Sequence, residues 1–316
     1  MGIGPVVTTE SRAGRDPTIY NDPLFNYAQY WTGRDYEHEA ELLALRRLLS
    51  GNHYRHAADI GGGFGRLSAV LTDYADQVTL VDPSTQQLDL SREIFPGQPF
   101  ERKLAEAAKL PFDDGSIDLA IMVRVLHHLP DPENELAELA RVLRPGGHAV
   151  VEAANSAHAG RRLAALLRRQ RISLDPVDIR AAQSWRRGSA PYVNHHPRTI
   201  TRQLAAVGLE VRETLSASNF RHPLANLLVP QRVLLAAERA VQRPLAGIHF
   251  GPSVFLMLEK RPTVPAPSPA LDDVTRQRRS TVAELLLLPT ASAGGDVADD
   301  ALLFDSATYR NDDGCA

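Results

Sequence analysis

His56-Ala57-Ala58-Asp59-Ile60-Gly61-Gly62-Gly63-Phe64-Gly65-Arg66-Leu67-Ser68-Ala69-Val70-Leu71 reads as the end of a buried strand, a glycine turn and the start of a helix. Glycines at 61, 63 and 65 permit positive φ and let a ligand approach the main chain where a Cβ would intrude. Such a turn suits a nucleotide-like cofactor. An ordinary tight turn would use the same residues, so the glycines alone do not decide between the two. A dinucleotide-binding turn is written Gly-x-Gly-x-x-Gly and seats a pyrophosphate on its helix N-terminus. Here the order is Asp-x-Gly-x-Gly-x-Gly, and the carboxylate of Asp59 would repel a pyrophosphate.

Downstream, Val78-Thr79-Leu80-Val81-Asp82 reads as a second buried strand ending in a carboxylate, where nucleoside-binding α/β folds place their ribose acceptor. Asp82-Pro83 is also ordinary turn and cap chemistry. Next come Ala105-Glu106-Ala107-Ala108-Lys109-Leu110-Pro111-Phe112, a strand-like run from Gly115 to Val123, and Leu126-His127-His128-Leu129-Pro130-Asp131-Pro132. Leu139-Ala140-Arg141-Val142-Leu143-Arg144-Pro145-Gly146-Gly147 then reads as a helix end closed by a left-handed glycine, leading into a strand from His148 to Glu152.

In this order and spacing, residues 55 to 155 resemble the class I S-adenosylmethionine-dependent methyltransferases. The glycine turn resembles their first motif. Residues 105–112 resemble the segment "D-A-x-x-L-P-F", with Glu106 where Asp is usual. Residues 126–131 resemble "HHLPD", and 141–147 resemble "RVLKPGG". The branch most resembled contains the ubiquinone and menaquinone C-methyltransferases and many natural-product enzymes. The resemblance implies S-adenosyl-L-methionine as cofactor and no metal. By the same resemblance, Asp59, Gly61, Gly62, Gly63 and Gly65 hold the turn and the methionine part, and Asp82 with Pro83 takes the ribose. Glu106 and the Ala107 backbone read the adenine, and Arg124 faces cofactor or substrate. The implied fold is a Rossmann-like three-layer α/β/α sandwich. Its seven-stranded sheet has the order 3-2-1-4-5-7-6, the last strand antiparallel.

Around this centre the chain divides further. Residues 1–50 form an N-terminal lid and helix segment. An aromatic cluster there, Tyr20, Phe25, Tyr27, Tyr30 and Trp31, either closes over the site or packs on the core. Leu42, Leu45, Leu48 and Leu49 recur at helical spacing, and Gly51 stops the run. Residues 51–261 form the methyltransferase domain, interrupted by a helical substrate-cap insertion at 157–206. From Gly208 a strand resumes, Pro223 to Val241 reads as an amphipathic helical stretch with a break at Pro230, and Ser253–Glu259 is a final strand. Residues 262–316 are acidic and rich in Pro, Ala and Ser, and are expected to be a disordered tail. Val282 to Leu288 stands out in it as an apolar run.

The apolar content of 43% is ordinary for a globular enzyme, and no apolar run is long enough to cross a bilayer. Without a basic-then-apolar leader, the expected location is cytoplasmic. The lone Cys315 excludes an internal disulfide or a cysteine metal site. The net charge of −3 conceals an arginine-rich stretch from Arg161 to Arg232 that holds only Asp175, Asp178, Glu210 and Glu213 as acids.

These readings favour methyl transfer to oxygen or carbon of a small aromatic, quinone-like, lipid or secondary-metabolite acceptor. A nucleic-acid methyltransferase using the basic insertion, and a non-catalytic cofactor-binding protein, are the alternatives. For a phenol or carbon acid a histidine base is expected, with His128, His195 and His196 as candidates. His196 before Pro197 also suits a helix cap. The sequence leaves the oligomeric state open.

Overall fold

Ala57, Ala58 and Ile60 of one strand and Leu119 to Met122 of another bury apolar side chains on both sides of the sheet, as central parallel strands do when helices cover both sheet faces. The computed structural model describes residues 31–180 and 191–262. Strands β1 (Tyr54–Ile60), β2 (Ala75–Asp82), β3 (Phe100–Leu104), β4 (Ile117–Met122) and β5 (Leu143–Ala154) run parallel. A two-stranded ribbon, β6 (Val177–Asp178) and β7 (Val193–Asn194), precedes β8 (Leu209–Ala217) and β9 (Ser253–Lys260). The main sheet has the order β3-β2-β1-β4-β5-β9-β8, with β9 antiparallel to both neighbours. Counting only strands of this sheet, the order is the expected 3-2-1-4-5-7-6.

Alternation along the strands splits the core between the two faces. Ala58, Ile60, Val81, Ala120 and Met122 pack on one side with Leu136 and Leu139 of α4 (Glu133–Val142) and with Ile200 and Leu204 of α6 (Pro197–Ala206). Ala57, Leu80, Leu119 and Ile121 pack on the other with Leu45 and Leu49 of α1 (Asp35–Leu49) and Leu71 of α2 (Ser68–Leu71). In the β1–β2 and β1–β4 registers Ile60 is paired with Val81 and Asp59 with Ile121. The loops after β1, β2 and β4 therefore open at the same sheet edge, where open α/β sheets bind ligands.

Several local expectations change. The helix after the glycine turn is a single turn. Pro145-Gly146-Gly147 does not close a helix: α4 ends at Val142, its cap Leu143 is already extended, and Gly146 (φ 70°) lies inside β5. The left-handed residue serves a corner where the β4–β5 register shifts, between Ile117 and Leu119. A Cβ on Gly147 would lie 2.8 Å from the Arg144 carbonyl oxygen.

The stretch 157–206 is described only outside residues 181–190. Its described residues hold α5 (Ala159–Leu167), the β6–β7 ribbon and α6, and α6 packs on the sheet and not above it. The buried Ile200 and Leu204 anchor it there. As expected, Pro230 separates α7 (Pro223–Leu228) from α8 (Gln231–Val241). Between β2 and β3 lies α3 (Thr85–Ile94). Tyr20, Phe25, Tyr27, Tyr30, residues 181–190, the tail from 263, its 282–288 run and Cys315 lie outside the described residues. Among the described residues no helix is long and apolar enough to cross a membrane.

Candidate functional site

The turn after β1 uses positive φ at Gly61 (68°), Gly63 (58°) and Gly65 (89°). Two of its glycines are demanded by the protein's own packing. A Cβ on Gly62 would strike the Asp59 carboxylate and lie 2.5 Å from Leu80 Cδ1; one on Gly61 would lie 2.6 Å from Val125 Cγ2. Gly65 sits against Phe100 and Ser91. Asp59 is fully buried beneath the turn and accepts from Ser68 Oγ at 2.7 Å, so it fixes the start of α2. Burial pushes its pKa up to about 6.

Asp82 ends β2 beside this turn. Its Oδ2 accepts from the Gly63 backbone N–H at 2.8 Å, and its Oδ1 from Ser84 N–H at 2.9 Å. The acid therefore locks the turn and the start of α3 together. Burial pushes its pKa up to about 6, against the lowering effect of the two N–H donors. A carboxylate has about four lone-pair sites, so two remain for a ligand. Ala105 N–H donates to the Asp82 carbonyl at 3.2 Å, which brings the loop carrying the exposed Glu106 and half-buried Ala107 to the same acid. Pro83 is exposed at the rim.

Arg124 follows β4 with φ 60°, a conformation that costs a non-glycine residue energy and tends to cluster at functional sites. Its N–H donates to the buried Glu152 Oε2 at 3.0 Å, and its guanidinium meets Glu41 Oε1 at 3.1 Å. Glu41, itself buried, also pairs with Arg66 at 2.6 Å. Trp31 lies across this cluster, 3.8 Å from the Arg66 guanidinium carbon and 5.2 Å from that of Arg124. Glu152 is pushed above the usual carboxylate range by burial, partly opposed by Arg124.

Sequence reasoning missed Glu41 and Glu152. The signal for Glu41 was its place on the apolar stripe of α1, four and seven residues before Leu45 and Leu48. It also missed Gln87, in the first turn of α3, which is buried with neither amide atom hydrogen-bonded among the described residues.

The three histidine candidates part ways. The rings of His127 and His128, in a one-turn helix after Val125, lie 3.9 Å apart between centroids and are tilted by 52°, with Tyr192 4.5 Å from His127. Burial pushes His128 down to about 4, and Nδ1 stands 3.4 Å from the Pro191 carbonyl oxygen. His195 is buried, with Nε2 2.9 Å from the Leu126 carbonyl oxygen, a contact in which the ring donates. His196 caps α6, accepting from Arg198 N–H at 3.2 Å, and Pro197 is the first helical residue. The cap reading of His196 therefore describes its contacts.

Residues 58–151 match the family model described as a methyltransferase domain. An uncharacterized methyltransferase of Mycobacterium tuberculosis is 39% identical over 93 residues, 29% of this chain and 37% of the relative. The O-methyltransferase cnsE of Penicillium expansum is 33% identical over 133 residues, 39% of this chain and 48% of the relative. The chain thus spans less than half the length of these curated relatives. Among solved structures, an S-adenosylmethionine-dependent methyltransferase from Mesorhizobium loti superposes with a TM-score of 0.50 at 21% identity, covering 70% of this chain and 98% of that one. The fold is that of the class I methyltransferases. S-adenosylmethionine is the cofactor of the solved methyltransferases whose fold this chain shares.

Proposed function

We propose that the chain transfers the methyl group of S-adenosylmethionine to oxygen or carbon of a small aromatic, quinone-like, lipid or secondary-metabolite acceptor. One observation carries this reading: a left-handed glycine turn is tied through Gly63 N–H to a buried carboxylate, Asp82, with two acceptor sites to spare. The residues fit an adenosyl ligand. Asp82 would accept from the ribose hydroxyls, and Glu106 with the Ala107 backbone would meet the adenine edge. The main chain of the 61–65 turn lies where the methionine part would run, and Gln87 has a buried amide that a ligand could satisfy.

The cofactor supplies a methyl group already activated on a sulfonium cation. The protein's part is to align the acceptor and exclude water. Trp31, Arg66, Arg124, Glu41 and Glu152 form a wall with little exposure at this end of the sheet, tied together by their paired charges. His128 is neutral at pH 7, its pKa being held near 4, so it orients an acceptor hydroxyl by accepting a hydrogen bond more readily than it removes a full proton. The likeness to a fungal O-methyltransferase supports oxygen as acceptor.

Calorimetric titration with S-adenosylmethionine tests the site. A mass-spectrometric screen of host metabolites for the gain of one CH2, with formation of S-adenosylhomocysteine, tests the reaction. Absence of binding would remove the proposal; binding with no turnover on any acceptor would favour a non-catalytic role.

A further inference from the structure

Helix α5 has no buried residue, although its Leu163, Leu166 and Leu167 share one face at i, i+3 and i+4. Their relative exposures are 59%, 74% and 77%. The helix is strapped to the segment before β9: Ala159 N–H donates to the Phe250 carbonyl at 2.9 Å, and the Arg162 guanidinium donates to the carbonyls of Ile248 and His249. That segment adds Ile248, half exposed, to the apolar surface.

The charge around this surface has one sign. From Ala153 to Leu174 the sequence holds no acid, and Arg161, Arg168, Arg169 and Arg171 are all exposed, with no acidic partner among the described residues. Exposed leucines flanked by arginines on a short amphipathic helix are the chemistry of a helix lying in a membrane interface, its leucines among acyl chains and its cations among anionic head groups. A nucleic acid would engage the arginines but leave the leucines in water.

We propose that α5 and the adjoining segment 248–250 dock on anionic lipid bilayers. Helix α5 follows the carboxyl end of β5, the same sheet edge at which the glycine turn opens. Docking therefore turns the mouth of that site toward the bilayer. Lipid binding itself does not depend on the methyl-transfer reading.

The full chain is sedimented with vesicles of phosphatidylcholine alone and of equal parts phosphatidylcholine and phosphatidylglycerol. It should partition onto the anionic vesicles only. Arg161→Glu with Arg168→Glu should lower that partition at least about 30-fold, since losing each arginine near an anionic surface costs about 1 kcal/mol and the new carboxylates add repulsion. Leu166→Asp with Leu167→Asp should lower it at least about tenfold. Both pairs are exposed, so melting temperature and S-adenosylmethionine affinity should match the parent; if the leucine pair melts early, Leu163→Ser replaces it. Equal binding to neutral vesicles, no binding, or unchanged binding by either variant overturns the proposal. So does a dimer in light scattering that the leucine variant dissociates, or retention of RNA that only the arginine variant loses.

Discussion

Replacing Asp82 by alanine tests the link between fold and ligand most directly. Two effects arise in the free protein. The N–H groups of Gly63 and Ser84 lose their acceptor, at about 1–3 kcal/mol for each buried group left unpaired. In the other direction, keeping ionised at pH 7.5 a carboxyl whose pKa is pushed up to about 6 costs the fold about 3 kcal/mol relative to an exposed one, and that cost disappears. The two nearly offset, so the variant should fold with a modest drop in melting temperature. In the complex, the ribose hydroxyls lose a charged acceptor, which should weaken binding by roughly 1–3 kcal/mol, about 5- to 150-fold in Kd. Isothermal titration with S-adenosylmethionine reads the second effect, and differential scanning fluorimetry reads the first. A folded variant that binds within twofold of the parent would refute the assignment and leave Asp82 a purely structural lock.

Three further outcomes are expected. Gly62→Ala places a methyl group against Leu80 and the Asp59 carboxylate beneath the turn, an overpacking that should cost about 1–3 kcal/mol; an unchanged thermal melt would show that the turn can move aside. Affinity for S-adenosylmethionine should rise severalfold from pH 5 to pH 7 and then level, because ligand hydroxyls donate to the ionised form of Asp82, which protonates as pH falls through about 6; Asp82→Asn should flatten the profile. Glu41→Ala leaves the guanidinium groups of Arg66 and Arg124 without their shared carboxylate and should destabilise the fold by about 3–5 kcal/mol in chemical denaturation, whereas a loss below 1 kcal/mol would show that water replaces it.

The sequence was sufficient for the backbone plan because its signals are local. A strand ending in Asp59-Ile60 followed by alternating glycines, and a second ending in Asp82, state strand, turn and helix directly, and the order of elements then leaves few sheet topologies. The same locality explains Pro197 opening α6 and Pro230 dividing α7 from α8.

What needed the tertiary structure was every partnership between distant residues. Asp82 binding Gly63 N–H spans nineteen positions, and Glu41 joining Arg124 spans eighty-three. Neither leaves a trace in local periodicity. The glycines read as room for a ligand are partly room for Asp59, Leu80, Val125 and Phe100, since only packed side chains reveal what a Cβ would meet. Likewise Pro145-Gly146-Gly147 looks like a helix stop from its neighbours alone, and becomes a corner within β5 because the sheet pairing of β4 claims the backbone from Leu143 onward. Local sequence set each element and its caps through backbone sterics; the carboxylates that tie the site together were chosen by which strand ends the sheet brings side by side.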